Sequence, residues 1–514
     1  MAGSTGVGKS DVAAQICAEN RGMVISADSV QVYRGVQIGA NKPTLAEREA
    51  TPHLLIDVVD ASTPNYNAAE WRRDCLYCIQ EFRNERVVDT TQEQETLLNE
   101  STNGMSTVST TETIQEDGTA VEESSLTAQL QHQIRELRLQ LDNKNDSVGN
   151  DKILPVVVGG TMMYLQWLVH GRPDALKPTE TAVAQAQDIL SSFDDYQQAV
   201  AHVASIDESV KDRVEALGDN DWYRLRRTLE VLLTQQQQQR QQQQQTNKSL
   251  GKTNDNIANN KTNSANSTAA LFSGEREGAL SSFGYDVRCF FLCPDERMQH
   301  TEVVDRRCED MILRGLLQET TDLAVSNQLP DMAKRAIGYR QVLDYLLRPD
   351  AKDNDTEAFE AFLNDFTTAT RRYAKKQMQW FRKDDNFAFV PVSLSATKPD
   401  RVRQAAAVVQ ELCRMPRKEY EKALGPSSVS AATKEQNAAQ GKQMKFYQFQ
   451  RYALKPGSPE FAQALAQADE CSRRLRGAGV TLDDGKDSTK EQIQVVEKAG
   501  DGMLSTDSKR PRVD

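Results

Sequence analysis

Histidine is scarce in this chain of 514 residues: there are five, at positions 53, 132, 170, 202 and 300, and none follows His300. With eight scattered cysteines, no zinc-finger spacing can be assembled from so few imidazoles. Cys75 and Cys78 form a CxxC pair, but residues 71–82 have amphipathic helical spacing, so both thiols are expected to face a core in a reduced, intracellular protein. Basic excess is lacking as well. There are 62 Lys and Arg against 74 Asp and Glu, a formal charge of -12, which excludes a general nucleic-acid coat and confines any RNA site to a local patch. No apolar run approaches the ~20 residues of a membrane helix, and no signal-peptide pattern opens the chain. The expectation is a soluble protein with no membrane contact, cytoplasmic in the first place, with the mitochondrion and the nucleus as alternatives. Lys509-Arg510-Pro511-Arg512 reads either as a short nuclear import signal or as a plain solvated tail.

Two stretches cannot bury enough apolar surface to offset chain entropy. Residues 88–151 form a low-complexity insertion rich in Thr, Glu, Ser and Gln, in which Leu126, Leu130, Ile134, Leu137 and Leu141 recur at helical spacing and predict a short amphipathic helix. A lone helix in a solvated insertion is the plain reading, and a partner-binding coiled coil is the alternative. Residues 235–282 form a Gln/Asn-rich stretch expected to be a disordered loop.

The remainder alternates strands and helices. Strands are expected at 23–26, 53–59, 153–158, 285–292 and 387–392. Helices are expected at 67–86, 161–170, 295–317, 333–347 and 357–381. The fold class is therefore α/β: a parallel sheet flanked by helices in right-handed β-α-β units. Its core divides into 1–87, 152–172 and 283–395, with a helical insertion subdomain at 173–234 and a mostly polar C-terminal extension at 396–514.

Gly3-Ser4-Thr5-Gly6-Val7-Gly8-Lys9-Ser10 fits G-x-x-x-x-G-K-[ST]. Its glycines let backbone N–H groups curl round a phosphate, Lys9 neutralises charge, and the Ser10 hydroxyl can reach Mg²⁺. The motif makes the sheet P-loop NTPase-like, but it does not say whether the phosphate belongs to ATP, to a kinase substrate or to a pyrophosphate leaving group. Only Met1 and Ala2 precede the loop, so the strand that normally feeds it is expected to be missing; a true start further upstream is the favoured explanation, and a sheet that tolerates the damage is the alternative. Asp28, at the carboxyl end of a strand, lies where open α/β sheets bind ligands; a base, a partner that holds a Mg²⁺ ligand without touching the ion, and a plain loop cap all suit it.

The stretch Ile25-Ser26-Ala27-Asp28-Ser29-Val30-Gln31-Val32-Tyr33-Arg34 through Asn41-Lys42-Pro43 resembles the signature of tRNA dimethylallyltransferases (IPP transferases). It is joined in order by Pro52-His53-Leu54-Leu55-Ile56-Asp57, Tyr66-Asn67-Ala68-Ala69, Val158-Gly159-Gly160-Thr161, Ala336-Ile337-Gly338-Tyr339-Arg340-Gln341 and Arg371-Arg372-Tyr373-Ala374-Lys375-Lys376-Gln377. The resemblance spans about 1–87, 152–234 and 283–395. It implies transfer of a dimethylallyl group from dimethylallyl diphosphate to N6 of the adenosine at tRNA position 37, beside the anticodon. The loop residues Gly3, Ser4, Thr5, Gly6, Val7, Gly8, Lys9 and Ser10, with Mg²⁺ on Ser10, would carry charge on the departing diphosphate. Asp28 would serve as the base, with Thr161 and Arg307 as further catalytic residues. Contacts to the tRNA anticodon stem-loop would come from Asp28, Ser29, Val30, Gln31 and Thr161, and in the helical subdomain from Tyr223, Arg224, Leu225, Arg226 and Arg227.

Departures from the family pattern are specific. Ala40 stands where Thr is usual, an arginine expected near Ala182–Val183 is missing, and the C-terminal zinc finger of many eukaryotic relatives has no counterpart. The rival readings are an adenylate isopentenyltransferase of cytokinin synthesis, a small-molecule P-loop kinase, and a catalytically degenerate P-loop RNA-binding protein. Gly159-Gly160-Thr161 also reads as a bare strand-to-helix turn, and the Arg371–Arg382 run as a solvated face opposite a Tyr373, Gln377, Trp380 core stripe.

Overall fold

The computed structural model describes residues 1–63, 66–83, 130–139, 141, 153–171, 178–193, 195–217, 221–249, 280–425, 439–442, 444, 447 and 450–481. Most of the 88–151 insertion, residues 250–279 and the basic cluster at 509–512 lie outside them. Two compact units are present, one combining Met1–Gln166 with Val287–Leu482, the other built on Trp167–Asp286.

The chain opens with β1 (Ala2–Gly3), α1 (Lys9–Glu19), β2 (Gly22–Ala27), α2 (Leu45–Ala50), β3 (His53–Leu54) and α3 (Ala68–Arg83). A helix at 130–139 (α4) precedes β4 (Leu154–Gly159) and α5 (Met162–His170). The second unit holds α6 (Glu180–Ser191), α7 (Tyr196–Ile206), α8 (Lys211–Glu215) and α9 (Trp222–Ser249). The first unit resumes with β5 (Cys289–Pro294), α10 (Arg297–Leu313), α11 (Leu316–Val325), α12 (Asp331–Arg335), α13 (Tyr339–Leu346) and α14 (Thr356–Phe381). It closes with β6 (Phe387–Val392), α15 (Lys398–Arg414) and α16 (Pro459–Gly477). Among the described residues no helix is long and apolar enough to cross a membrane.

The six strands form one parallel sheet in the order β3-β2-β4-β1-β5-β6. The expected α/β architecture is thus present. The strand expected to be missing is there in shortened form: Ala2 pairs with Gly159 on one side and Phe291 on the other, so β1 is central. The Met1 ammonium donates to Val157 O at 2.5 Å and Gly159 N donates to Met1 O, so the ladder groups beside the short strand are met. Side-chain alternation on β5 explains how both faces are covered. Phe290 and Leu292 join Val12 and Ile16 of α1 and Ala405, Ala406 and Val409 of α15 on one face. Phe291 turns the other way, 4.8 Å from the Phe381 ring of α14.

Five expectations come out differently. The strand foreseen over 53–59 stops at Leu54, because Leu55 and Asp57 take left-handed backbone conformations (φ 59 and 57). The helix foreseen over 295–317 breaks at Gly315 (φ 100) and that over 333–347 at Gly338 (φ 103), each glycine admitting a turn that other residues resist. The Gln-rich stretch is helical up to Ser249: α9 is already anchored by buried Leu225, Leu229, Leu232 and Leu233, and glutamine, a good helix former, extends it without a new nucleation step. The C-terminal extension holds α16, whose Phe461, Ala464, Leu465, Ala468, Cys471 and Leu475 are buried at helical spacing. Alanine supplies much of that stripe, which is why the segment reads as polar.

The insertion helix α4 is not isolated. It buries Leu130, Ile134, Leu137 and Leu141, and Arg138 donates to the Glu81 carbonyl at the end of α3 and lies 5.4 Å over the Phe82 ring. Cys75 and Cys78 are fully buried, as expected of core thiols.

Candidate active site

Between β1 and α1 the phosphate-binding motif forms a tight turn in which Gly6 (φ 81) and Gly8 (φ 91) occupy the left-handed region. A side chain at either position would be strained, which is the physical content of the two glycines. The Lys9 ammonium curls back to donate to Gly3 O and Ser4 O, both at 3.0 Å, and pairs with no carboxylate among the described residues. Burial, and next the positive field of Arg307, push its pKa from 10.5 down to about 8, against an opposing pull from Asp28. Arg307, on α10, makes no hydrogen bond or ion pair among the described residues, and burial lowers its pKa too. Lys9 and Arg307 therefore form a cationic pair near the Asp28 carboxylate. Ser10 is exposed at the start of α1.

Asp28 follows β2. Its Oδ1 accepts from the backbone N–H of Val30 (2.9 Å) and Gln31 (3.2 Å), an Asx turn that leaves Oδ2 without a hydrogen bond. Thr161, between β4 and α5, accepts from Ser29 N at 3.1 Å through Oγ1, and its own N–H donates to Ala27 O at 3.3 Å. Asp28 and Thr161, distant in sequence, are thus tied together, and the phosphate loop, Asp28, Thr161 and Arg307 converge at one end of the sheet. Gln31 is spent on the protein: its carbonyl accepts from Ser26 Oγ (2.9 Å) and its amide donates to Ala40 O and Asn41 O. The side chain expected to meet RNA therefore staples its own loop.

Two site residues escaped the sequence reading. His300 of α10 is buried behind the loop, its Nε2 2.8 Å from Thr5 O and 3.3 Å from Ser4 Oγ, and burial lowers its pKa. Gln377 of α14 accepts from Thr5 N at 2.9 Å and donates to Gly160 O at 3.0 Å. A Cβ at Gly160 would strike that amide, so the glycine there is more than a turn former. Tyr373, one turn earlier, also donates to Gly160 O, at 3.3 Å. The stripe read as a core face of α14 is the face that holds the site. Only the spacing of 373 and 377 hinted at it, and that spacing does not tell core from site.

Other motif residues are scaffold. The Glu319 carboxylate accepts from the N–H groups of Gln37, Ile38 and Gly39 (2.7–3.0 Å) and from Tyr339 Oη at 2.6 Å. A Cβ at Gly39 would run into the Tyr339 ring, so the ring's seat against this loop requires glycine there. Lys42 is buried, 2.5 Å from Asp57 Oδ1, and Asp57 also meets Arg48 at 2.8 Å.

The second unit carries the arginine-rich helix, and Tyr223, Arg224, Leu225, Arg226 and Arg227 all lie in the first turns of α9. Leu225 is fully buried among Leu229, Leu232, Val203 and Tyr196, so its side chain cannot serve as the RNA contact expected of it. Arg226 and Arg227 both turn to Glu230, at 3.6 and 3.2 Å, and Arg224 meets Asp221 at 3.3 Å while remaining more than half exposed, at 57%.

The IPP transferase family matches residues 31–89 and 127–384, a range that begins just past the phosphate loop and Asp28. The tRNA dimethylallyltransferase 9 of Arabidopsis thaliana is 30% identical over 410 residues, covering 78% of this chain and 71% of that protein. A tRNA dimethylallyltransferase of Protochlamydia amoebophila is 26% identical over 402 residues, with 77% and 83% covered. A crystal structure of a eukaryotic dimethylallyltransferase acting on tRNA aligns at 21% identity with a TM-score of 0.46, over 81% of this chain and 80% of that one.

Proposed function

Because the chain belongs to the IPP transferase family, we propose that it is a tRNA dimethylallyltransferase, moving the dimethylallyl group of dimethylallyl diphosphate onto N6 of adenosine 37 beside the anticodon of a tRNA. The observation that carries the chemistry is that Lys9, Arg307 and Asp28 lie within one another's electrostatic reach beside the phosphate loop, with the Lys9 ammonium hydrogen-bonded only to loop carbonyls among the described residues. Diphosphate sits in the Gly3–Ser10 loop, with Lys9 released from the Gly3 and Ser4 carbonyls to meet it and Arg307 on its flank. The allylic C–O bond breaks with its electron pair leaving on diphosphate, where these two cations and the loop amides take up the charge. The N6 lone pair forms the new bond to the allylic carbon. The N6 proton passes to Asp28 Oδ2, while the Asx turn keeps the carboxylate aimed.

The donor set suits Mg²⁺ in a limited way: Ser10 offers a hard hydroxyl oxygen, and no group of three or more His, Cys, Asp or Glu side chains is placed to hold a metal among the described residues. An ion held mainly by diphosphate oxygens and water, with Ser10 as the protein's contribution, follows the habit of that cation. It would supply charge neutralisation on the leaving group. Of Arg224, Arg226 and Arg227 on α9, Arg224 is the most exposed and so the most available to an RNA phosphate. The cytoplasm remains the compartment we propose.

The test is direct. The protein is incubated with Mg²⁺, dimethylallyl diphosphate and either unmodified tRNA or AMP, and the digest is searched by mass spectrometry for N6-isopentenyl-adenine, with Asp28→Asn as control. Product on tRNA alone, lost in the variant, supports the reading. Product on AMP moves the chain to adenylate prenylation. No product with either acceptor from folded protein would leave a degenerate RNA binder.

A further inference from the structure

The loop that holds the donor and the turn that aims the acceptor's base are not in direct contact through their own side chains; α14 joins them. Gln377 is 1% exposed and uses both ends of its amide: Oε1 accepts from Thr5 N of the phosphate loop at 2.9 Å, and Nε2 donates to Gly160 O at 3.0 Å. Tyr373 Oη reaches the same carbonyl at 3.3 Å. The next residue, Thr161, accepts from Ser29 N at 3.1 Å, and Ser29 adjoins Asp28. Three hydrogen bonds and two peptide links thus run from Thr5 to Asp28. A buried amide used at both ends holds its partners at fixed separation, because turning it over would set donor against donor and acceptor against acceptor. We infer that Gln377 is a positioning residue that couples diphosphate occupancy of the phosphate loop to the placement of Asp28 against the acceptor. This rests on the transferase reading for what the two loops bind, and it assigns a task that neither the phosphate-loop motif nor the base requires by itself. It also accounts for Gly160, where a Cβ would take the place of the Gln377 amide.

Glutamine differs from glutamate by one proton donor, and this makes the coupling measurable. In Gln377→Glu the ionised carboxylate still accepts from Thr5 N but cannot donate to Gly160 O; once protonated, it does both. Transfer by Gln377→Glu at saturating donor should fall by roughly a hundredfold at neutral pH, the scale of a small misplacement of reacting groups. It should recover relative to the parent as pH drops. Gln377→Ala should show the loss without recovery. A residue that merely fills space would give a pH-independent defect in both. The second readout needs no chemistry: with inorganic pyrophosphate as the probe, hydrogen exchange at the amides of 28–31 should slow in the parent protein and stay unchanged in Gln377→Ala, while Thr5 and its neighbours are protected in both. Equal protection of 28–31 in parent and variant overturns the coupling, as does a Gln377→Glu profile parallel to the parent's. Should Gln377→Ala fail to fold, Tyr373→Phe, which removes one of the two bonds to Gly160, carries the exchange measurement with a smaller expected change. A parent protein that transfers nothing to tRNA would sink the transferase reading, whereas the pyrophosphate experiment would still decide the coupling.

Discussion

The phosphate-loop end of the sheet and the first turns of α9 are both rich in cations, and they use them in opposite ways. At the loop, among the described residues, Lys9 bonds only to carbonyls and Arg307 makes no hydrogen bond or ion pair, so their charge is open to a ligand at the cost of lowered pKa values. On α9, Arg226 and Arg227 converge on one nearly buried carboxylate, Glu230, and Arg224 leans on Asp221. Carboxylates of the same unit are occupied by backbone instead: Asp28, beside the loop, takes two amides and Glu319, on α11, takes three, which fixes turns without forming an ion pair to Lys9 or Arg307 among the described residues. The lesson is that charge counted along a sequence is not charge available to a ligand; what neutralises it is decided by neighbours in space.

The comparison can be broken most sharply at Asp28. Asp28→Asn keeps an oxygen for the Asx turn and removes the base, so kcat should drop by about 10²–10⁴-fold while pyrophosphate binding changes little. A variant that retains wild-type kcat would remove Asp28 from the chemistry. Next in size is Leu225→Ala, expected to destabilise the helical unit by about 2–5 kcal/mol in a denaturant titration, because it opens a cavity among Leu229, Leu232 and Val203. A loss of tRNA affinity with unchanged stability would restore Leu225 as a contact.

The pH dependence of donor binding follows. Free Lys9 loses its proton near pH 8, and a bound diphosphate favours the protonated form, so the bound pKa lies higher. Affinity for pyrophosphate should therefore be full below pH 8 and decline above it by at most about tenfold per unit, with proton uptake on binding that calorimetry in two buffers would register. A flat profile from pH 7 to 9.5 would place Lys9 out of reach of the ligand. The smallest effect belongs to the helix: Arg224→Ala should weaken tRNA binding severalfold and reduce the salt slope by about one, the signature of a single lost phosphate contact. A larger effect from Arg226→Ala than from Arg224→Ala would reverse the ranking of exposed over paired arginines.

Much of the core was legible. Strands β2, β4 and β6 lie within or close to their expected spans because apolar runs in a buried parallel sheet carry a strong pattern, and the loop glycines announced their own geometry. The end of β3 at Leu55 was hidden, since a left-handed leucine leaves no mark in composition. So was α16, where alanines do the packing, and so was the segment 452–454, whose amides are gathered by the buried Glu309 carboxylate. The family signature made Asp28, Thr161 and Arg307 visible as a set. It also drew in Gln31 and Leu225, whose side chains the fold uses for itself.

The sequence by itself determined the α/β class and the phosphate loop and named the groups proposed to react, since these depend on local backbone permission and on residue chemistry. The tertiary structure alone decided which of those groups are free. A two-residue β1 is central because β4 and β5 flank it, and Gln377 and His300 reach the loop because α14 and α10 pack over it. The pairing of Arg224, Arg226 and Arg227 follows from helical spacing of three and four residues, whereas the field that Arg307 and Asp28 exert on Lys9 comes from residues distant in the chain, which no local pattern encodes.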